Sequence, residues 1–581
     1  MSNFKRYNIK RFGAIAMAGG LTLGLAACGA KTASKTASST TTSNTASATS
    51  AAASSSDYFT DRDLSGDYDD ASATHITLSD SASTVDGQGA SVDGSTVTIT
   101  SEGTYVFSGS LSNGQIKVEA DDTAKVQIVL KGVSISNSGS AAIYVKTADK
   151  VFVTTAEGSD NRLTSSGSFA ADGDIKVDGA IFSKQDLVIN GKGSLSVKSS
   201  ANGIVSKDDL KLTGSTVTID AQGKGLEAND SIRIADGTYT INATDDAIHA
   251  DSSDTEAGFF YMSGGTLALS SGDDGIHADG KLNIVGGKIV VSQSNEGLEG
   301  SQIVIDGGDI NVTSKDDGLN AAGDSNTSSD YSITINGGKL EVNASGDGID
   351  SNGDLYINGG ETYVSGATNN GDSALDYGDR SKGVISGGTL IATGYSGMAE
   401  AFDSSSTQGM ILYGLSNTSS ETVTVTDSSG NVLASYTPPK NYNAVYVSAP
   451  GMTTGNSYTI ATGSSRQTIS LDSIVTTSGN VNSRGMGGNS YTIATGSSRQ
   501  TISLDSIVTT SGNVNSRGMG GPGGMGGSGN SGGPGGSGGS GNSGGPGGSG
   551  GPGGSGGSGS AGGPGGMGGS GSSGKSGRSG K

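Results

Sequence analysis

Short stretches in which apolar and polar residues alternate recur along most of the chain, and a pair of glycines interrupts each of them. One such unit is LNIVGGKIVV at 282–291, and the same order of parts returns at 303–312, 333–340 and 355–360. Period-two alternation is typical of a β-strand with one buried face. Paired glycines supply the positive φ or the crowded backbone that a sharp corner requires. No window has useful helical periodicity, so the pattern predicts an all-β protein.

A second motif recurs in step with the first: an aliphatic residue preceded by Gly or Ala and usually by an acid. Most successive aliphatic positions are about 22 residues apart, and the remaining intervals are longer. The long intervals contain polar inserts at 252–258, 324–331 and 365–371, as expected of loops that leave stacked coils. The aliphatic positions are Ile204, Leu226, Ile248, Ile276, Leu298, Leu319, Ile349 and Leu375.

A period of about 22 residues with fixed corners predicts a parallel β-helix, which is a β-solenoid. The alternative, a β-sandwich of regular hairpins, would show turn signals every 8–12 residues. We expect the solenoid to occupy residues 57–399. Because the end of a solenoid has to be covered, we expect a small C-terminal β cap or subdomain at 400–488.

The acids of the repeated motif are predicted to form a column, because equivalent residues of successive coils stack about 4.8 Å apart. Neighbouring carboxylates at that spacing repel each other by roughly 3 kcal/mol at an effective dielectric near 20. A bound cation would offset this repulsion, and oxygen ligands at a glycine-rich corner suit Ca²⁺. The predicted metal ligands are Asp245, Asp246, Asp273, Asp274, Glu296, Asp316, Asp317 and Asp347.

Two other interpretations of these acids stay open. They could form a solvated acidic face without a specific metal, or His249 and His277 could bind Zn²⁺ together with Asp246 or Asp274. The histidines belong to a second predicted column, one residue past each aliphatic position. That column contains Glu227, His249, His277, Glu299, Asn320, Asp350 and Asp376.

Composition and charge limit the classes of partner that the protein could bind. Glycine accounts for 102 residues, tryptophan is absent and 32% of residues are hydrophobic, so a core can form only where the apolar residues recur periodically. A formal net charge of −21 excludes nucleic acid as a partner, because nothing would neutralise its phosphates. The same charge allows acidic polymers to bind only through a bridging cation. We expect a monomer.

The N-terminus predicts export and a lipid anchor. A basic region precedes the apolar run 12–23, and the following Leu-Ala-Ala-Cys-Gly at 25–29 resembles the lipobox of bacterial lipoproteins. This predicts a signal peptide at 1–27, lipidation of Cys28 and a membrane-anchored position on the extracellular face of the cell. The alternative is an ordinary signal peptide with a chance cysteine. Since Cys28 is the only cysteine, disulfides are excluded.

Other segments cannot build a core of their own. Residues 28–56 are rich in Ser, Thr and Ala, and residues 522–581 are rich in Gly and Ser, so we expect a flexible tether and a disordered tail. Residues 489–521 repeat 456–488 without a change. We expect only one copy, the first, to complete the fold.

Several of these motifs together resemble a bacterial family of secreted carbohydrate-binding domains of the clostridial type. They are the Asp-Asp-Gly-Ile-His-Ala segment at 273–278, the Ile-x-Gly-Gly rungs and the closing segment 422–438. The similarity covers roughly residues 70–480. It implies a right-handed parallel β-helix that carries calcium, is related in shape to pectate lyases and binds polysaccharide. Asn202 and Lys224 replace the acid in the first rungs, where the match gives calcium no support.

We therefore expect a cell-surface lipoprotein that binds a plant or microbial cell-wall glycan, either acidic and uronate-containing or cellulose-like, with no catalytic residue. Without tryptophan, stacking against sugars falls to tyrosines, although tyrosines on a β-coil more often pack. One alternative is a Ca²⁺-dependent polysaccharide lyase, with Lys315, Arg233 and Arg380 as candidate bases. Another is an adhesin for protein or wall polymer. The candidate sugar-binding residues are Tyr261, Tyr356, Tyr363 and Tyr377.

Overall fold

The computed structural model describes residues 58–252, 257–323, 331–378 and 380–481, together with the backbone of 489–495 and 498–504. The predicted signal peptide at 1–27, Cys28, the tether at 28–56 and the tail at 522–581 lie outside the described residues. Within these described residues, regular structure is almost wholly β-strand, with one short helix, α1 (Asp61–Leu64). No described helix has the length and apolar character needed to cross a membrane.

Most strands belong to a solenoid in which each turn contributes to three parallel faces, here called A, B and C in chain order. Face A contains β4 (Thr96–Ile99), β6 (Gln115–Glu119), β8 (Ile143–Thr147), β11 (Gly179–Ser183), β14 (Asn202–Ser206), β16 (Leu226–Ala228), β18 (Ile248–Ala250), the first parts of β21 (Ile276–Ile284) and β23 (Leu298–Ile305), β25 (Leu319–Ala321), β28 (Ile349–Ser351) and β31 (Leu375–Tyr377).

Face B follows face A in each turn. It contains β1 (Thr74–Leu78), the first parts of β5 (Gly103–Leu111), β7 (Lys125–Asn137), β15 (Asp209–Ala221) and β17 (Ser231–Ala243), together with β9 (Lys150–Thr155), β12 (Asp186–Gly191), β19 (Phe259–Met262), the second parts of β21 and β23, β26 (Ser332–Ile335), β29 (Asp354–Ile357) and β32 (Gly383–Ile385).

Face C completes the turn. It contains the second parts of β5, β7, β15 and β17, together with β10 (Asp160–Ser165), β13 (Ser194–Ser199), β20 (Thr266–Ser270), β22 (Lys288–Gln293), β24 (Asp309–Ser314), β27 (Lys339–Ala344), β30 (Glu361–Ser365) and β33 (Thr389–Gly394). Two short strands, β2 (Thr84–Asp86) and β3 (Ala90–Asp93), pair antiparallel with β1 and β4.

The aliphatic ladder predicted from the repeat is confirmed. On face A, Ile248 is in register with Ile276, Leu298 with Leu319, and so on through every position from Ile204 to Leu375. These side chains are fully buried in one continuous core. The longer intervals leave this register intact. Parallel pairing across three faces confirms the predicted β-solenoid and excludes the β-sandwich.

The glycine pairs form the corner between faces B and C, as predicted. Gly338 and Gly360 have φ values of +77° and +74°, which L-residues with a Cβ rarely adopt. A Cβ on Gly360 would also come within 2.6 Å of the carbonyl oxygen of Gly338. At these turns glycine therefore serves both the conformation of the corner and close stacking on the previous turn, whereas Ser215 adopts a φ of +70° at the same corner of β15.

Residues 58–73, here called the strap, cover the outer surface of face B. The carboxylate of Asp63 is fully buried and lies 3.3 Å from Lys150 and 3.2 Å from Lys211. At the start of the strap, the ring of Tyr58 stacks on Tyr261 with centroids 3.8 Å apart. The strap thus fixes one face of the solenoid through contacts with residues far away in sequence.

The C-terminal region closes the last turn with antiparallel strands. β33 pairs with β37 (Tyr442–Ser448), which pairs with β34 (Met410–Ser419), and β34 pairs in parallel with β40 (Val475–Gly479). A second sheet, in the order β36 (Val432–Tyr436), β35 (Val423–Thr426), β38 (Ser457–Thr462) and β39 (Ser465–Ser470), packs against it through a separate apolar cluster.

The two copies of the duplicated segment are used differently. The first copy supplies β38, β39 and β40. Of these, β38 and β40 pair with strands outside the copy, and β39 pairs with β38. The described backbone of the second copy forms a hairpin of β41 (Asn489–Thr495) and β42 (Ser498–Leu504), which pair with each other.

Candidate functional site

The outward residues of face A form a continuous column, here called the face column. The residue that follows each buried aliphatic side chain is in register with its counterpart on the next turn. It points away from the core because side chains alternate along a strand. From the N-terminal end the face column consists of Glu227, His249, His277, Glu299, Asn320, Asp350 and Asp376.

A second column, here called the corner column, runs beside it where face C turns into face A. Its members stack through backbone hydrogen bonds, for example from Ala247 N–H to the Asp274 carbonyl and from Gly318 N–H to the Asp347 carbonyl. The corner column consists of Lys224, Asp246, Asp274, Glu296, Asp317 and Asp347. The predicted alignment of the motif's acids is therefore present.

The corner acids also hold successive turns together. Asp246 Oδ1 accepts the backbone N–H of Asp274 at 3.0 Å, and Asp317 Oδ1 accepts that of Asp347 at 2.7 Å. Asp347 Oδ1 accepts the N–H of Ser373 in the same way. A carboxylate here satisfies an otherwise unpaired backbone donor. The acid is therefore part of the corner's architecture whether or not a metal binds.

In the N-terminal half of the columns, cationic side chains neutralise the acids. Asp246 Oδ2 lies 2.8 Å from Lys224 Nζ and 2.5 Å from His249 Nδ1. Burial opposes ionisation of this carboxyl, but the hydrogen bonds from His249 and Lys224 prevail and lower its pKa. Lys224 stands where the repeat usually has an acid, and it supplies the counter-ion for Asp246 of the next turn.

One turn later, His277 lies among three carboxylates, although burial and repulsion from Glu299 still raise the pKa of Asp274 to about 6. Its Nδ1 lies 3.0 Å from Asp274 and 2.9 Å from Glu299, and its Nε2 lies 3.3 Å from Asp279. Burial opposes the charge on the ring, but hydrogen bonds to these carboxylates raise the pKa of His277 to about 12. The imidazole rings of His249 and His277 stack in parallel with centroids 4.6 Å apart.

Among the described residues, no comparable ion pair surrounds the three aspartates at the C-terminal end of the columns. Oxygens of Asp317, Asp347 and Asp350 lie within 4.8 Å of one another, and across the described ranges none of the three forms an ion pair with Lys, Arg or His. Burial, reinforced by repulsion between the carboxylates, raises the pKa of Asp347 to about 8 and that of Asp350 to about 7. The pKa of Asp317 rises to about 6 for the same reasons.

Asn320 adds a neutral oxygen beside this group. It is 9% exposed and lies in register between Glu299 and Asp350. Its Nδ2 donates to Glu296 at 2.8 Å, whereas its buried Oδ1 has no hydrogen-bond partner. A buried acceptor without a donor is costly. Three carboxylate oxygens and an unused amide oxygen form a donor set that fits a hard cation.

The predicted metal ligands fall into separate groups. Asp245, Asp246 and Asp273 lie together, Asp274 lies with His277 and Glu299, and Asp317 and Asp347 lie with Asp350. Glu296 and Asp316 belong to none of these groups. The predicted ligand set omitted Asp350, Glu299 and Asn320, although their position one residue past each aliphatic side chain had placed them in the adjoining column.

Two of the four candidate sugar-stacking tyrosines are buried, which corrects that expectation. Tyr261 is 2% exposed and lies under Tyr58 of the strap. Tyr377 is 7% exposed and its hydroxyl donates to the Ala401 carbonyl. Neither ring has an open face for a sugar, because segments distant in sequence cover both.

The other two tyrosines are half-buried. The hydroxyl of Tyr356, on the outer side of face B, donates to Asp354 at 2.6 Å. Tyr363 stacks on Tyr436 of the C-terminal sheet with centroids 5.3 Å apart, so one side of its ring is occupied. Neither tyrosine is on face A, and the acidic columns therefore carry the candidate site without an aromatic platform.

The chain is similar to known proteins over parts of its length. A relative from Acetivibrio thermocellus, described as a carbohydrate-binding domain-containing protein, is 41% identical over 136 residues, which are 23% of this chain and 48% of that protein. The chain therefore spans about half the length of this relative. A solved structure, described as a polysaccharide lyase-like protein from C. thermocellum in a gadolinium derivative, is 31% identical. It covers 46% of this chain and 100% of its own, with a TM-score of 0.38.

A family model provides the wider match. The model for carbohydrate-binding domain-containing proteins matches residues 93–324 and 274–501, so the two matches together span most of the solenoid and the C-terminal strands. The chain belongs to this family of carbohydrate-binding domain-containing proteins.

Proposed function

We propose that the protein binds a carboxylate-bearing polysaccharide through Ca²⁺ held at the C-terminal half of the acidic columns. One observation carries the proposal: Asp317, Asp347 and Asp350 converge within 4.8 Å without a basic partner among the described residues. Membership of a carbohydrate-binding family indicates the class of ligand. The acidic columns provide the carboxylate oxygens that could bind the calcium.

The donor set favours calcium over other common metals. Ca²⁺ takes six to eight oxygen ligands in flexible geometry, whereas Zn²⁺ prefers nitrogen and sulfur. Asp317, Asp347 and Asp350 would hold the ion, with the Oδ1 of Asn320 nearby. These residues supply fewer oxygens than Ca²⁺ accepts, so water or a ligand carboxylate would complete its coordination.

A bridging cation also explains how an acidic protein could bind an acidic polymer. With a formal net charge of −21, the protein repels polyuronates over long distances. A Ca²⁺ that neutralises the aspartates and accepts a uronate carboxylate would reverse this repulsion locally. The face column runs along the solenoid axis for roughly 29 Å at about 4.8 Å per turn, which suits a linear polymer lying across several turns.

The surroundings of the aspartates support binding rather than cleavage. Lyase chemistry requires a base close to the metal, but within the described residues no Lys, Arg or His pairs with Asp317, Asp347 or Asp350. Of the candidate bases, Arg233 is on face B, where it pairs with Asp209 at 3.1 Å.

A lipid anchor at Cys28 would hold this binding face at the cell surface. The described chain starts at Tyr58, on the outer surface of face B against Tyr261. A tether joined at that point would reach the molecule on a different face from the acidic columns, and face A would stay open to the polymer.

The test measures adsorption of the full-length protein to polygalacturonate and to cellulose, in calcium and in chelator. We expect adsorption to polygalacturonate in calcium only, and its loss in the double variant Asp347→Asn/Asp350→Asn. The matched control is Asp309→Asn, which removes an exposed carboxylate on face C. This variant should adsorb to polygalacturonate as the parent protein does. Adsorption that chelator leaves unchanged, or release of unsaturated uronate products detected by ultraviolet absorbance, would contradict the proposal.

A further inference from the structure

The stacked histidines form a second arrangement of metal-binding groups, separate from the proposed calcium site. Nitrogens of His249 and His277 and a carboxylate oxygen of Asp279 lie within 4.8 Å of one another. His249 and His277 are in register on adjacent turns of face A, and Asp279 follows His277 by two residues on the same strand. The parallel strands therefore set the spacing of all three groups.

The hydrogen bonds of the two rings orient them in the same sense. Each Nδ1 faces a corner acid, Asp246 at 2.5 Å for His249 and Asp274 at 3.0 Å for His277. A neutral histidine that donates its Nδ1–H to a carboxylate presents Nε2 as a free lone pair, which is the usual preparation of a metal-binding histidine. The two Nε2 atoms lie on the side of Asp251 and Asp279.

We propose that His249 Nε2, His277 Nε2 and a carboxylate oxygen of Asp279 bind a divalent transition metal, with Zn²⁺ the best match. Zn²⁺ takes nitrogen and oxygen ligands at about 2.0–2.2 Å in a tetrahedron, which places neighbouring ligand atoms about 3.3 Å apart. His277 Nε2 and Asp279 Oδ1 are already 3.3 Å apart, and the metal would take the place of the proton between them, which is released to solvent.

Three protein ligands leave the fourth tetrahedral position open. Both histidine side chains are partly accessible, with 13% exposure for His249 and 23% for His277. Water or an oxygen atom of a bound sugar could therefore complete the coordination.

This site is independent of the proposed calcium site in both position and chemistry. Along the face column, His277 is three turns from Asp350, which corresponds to about 14 Å. Imidazole nitrogens suit Zn²⁺, Co²⁺ and Ni²⁺, whereas carboxylate and amide oxygens suit Ca²⁺. Each site can therefore be tested without the other.

The experiment titrates the full-length protein with Co²⁺, a spectroscopic substitute for Zn²⁺, in the presence of excess calcium. We expect one equivalent to bind with the visible absorption of tetrahedral Co²⁺, and Zn²⁺ to displace it. His249→Gln and Asp279→Asn should each weaken Co²⁺ binding by at least about tenfold. The matched control His75→Gln changes the third histidine of the chain, on β1, and should leave binding unchanged.

Far-ultraviolet circular dichroism and thermal melting establish that each variant is folded, so that a loss of absorption can be assigned to the site. Absence of the tetrahedral band in the parent protein would overturn the proposal. An unchanged affinity in a folded His249→Gln variant, or displacement of Co²⁺ by calcium, would overturn it as well.

Discussion

The two halves of the acidic columns share one backbone design but differ in how their charge is balanced. In the N-terminal half, Asp246 is held between Lys224 and His249. In the C-terminal half, the carboxylates that repel the equivalent Asp347 are Asp317, Asp376 and Asp350. Both acids accept a backbone N–H from the next turn. The residues beside the two acids account for the difference: Lys224 and His249 lie next to Asp246, whereas Asp350 lies next to Asp347.

This comparison separates the structural role of the corner acids from their binding role. Asp246, Asp317 and Asp347 each satisfy a backbone donor of the next turn, so the recurrence of the acid alone does not mark a metal site. The balance of neighbouring charges decides whether a cation is required. By this criterion Asp317, Asp347 and Asp350 form the calcium candidate. The group around Asp246 is a weaker calcium candidate, because that carboxylate already forms an ion pair with Lys224 and a hydrogen bond with His249.

The largest expected effect comes from removing the internal cation of the N-terminal half. Lys224→Met leaves the buried Asp246 without its lysine, and we expect a loss of about 3 kcal/mol in the free energy of unfolding, since breaking a buried pair leaves an uncompensated charge. Denaturant unfolding in chelator measures it. Lys315→Met, which removes an exposed lysine near the columns, is the control and should change stability by less than about 0.5 kcal/mol. Equal losses in both variants would contradict the assigned role of Lys224.

Neutralising one acid in each half should change stability in opposite directions. In chelator we expect Asp350→Asn to stabilise the fold by roughly 1 kcal/mol, because a raised pKa means that the folded state disfavours the charge. Burial and repulsion from Asp317 and Asp376 are the cause of that raised pKa. Asp246→Asn should destabilise the fold, because its ion-pair partner Lys224 loses its counter-charge. Thermal melts of both variants beside the parent measure the signs, and two changes of the same sign would remove the distinction between the halves.

The pH dependence of stability should show the same distinction more weakly. The raised pKa values of Asp317, Asp347 and Asp350 mean that the folded protein binds more protons than the unfolded chain. The stability contributed by these groups is therefore present below about pH 4 and is lost as pH rises to about 8. In chelator we expect the melting temperature to fall over this range more steeply for the parent than for Asp347→Asn/Asp350→Asn. Calcium should flatten the slope of the parent, and equal slopes in chelator would count against the assignment.

The sequence predicted the solenoid well because its signals are local and repeated. Ile276 and Leu298 are one period apart in the chain and in register on adjacent turns, so the period of the buried ladder can be read directly from the chain. The alignment of the acids followed from the same period.

The strap and the charge balance could not be predicted in this way. The strap has no repeat, and its anchor depends on Asp63 meeting Lys150 and Lys211, which are 87 and 148 residues away. Tyr58, at the start of the same strap, covers Tyr261, which in the sequence alone resembles a binding residue. Neutralisation of Asp246 likewise depends on Lys224 in the preceding turn, whose role becomes visible only once the turns are stacked.

The most direct test of the calcium assignment is an anomalous-scattering map from crystals of the full-length protein grown in calcium. The account predicts a calcium peak between Asp317, Asp347 and Asp350, with the oxygens at about 2.3–2.6 Å, and none bound to Asp246. No peak in the C-terminal half, or calcium bound only at Asp245, Asp246 and Asp273, would contradict it.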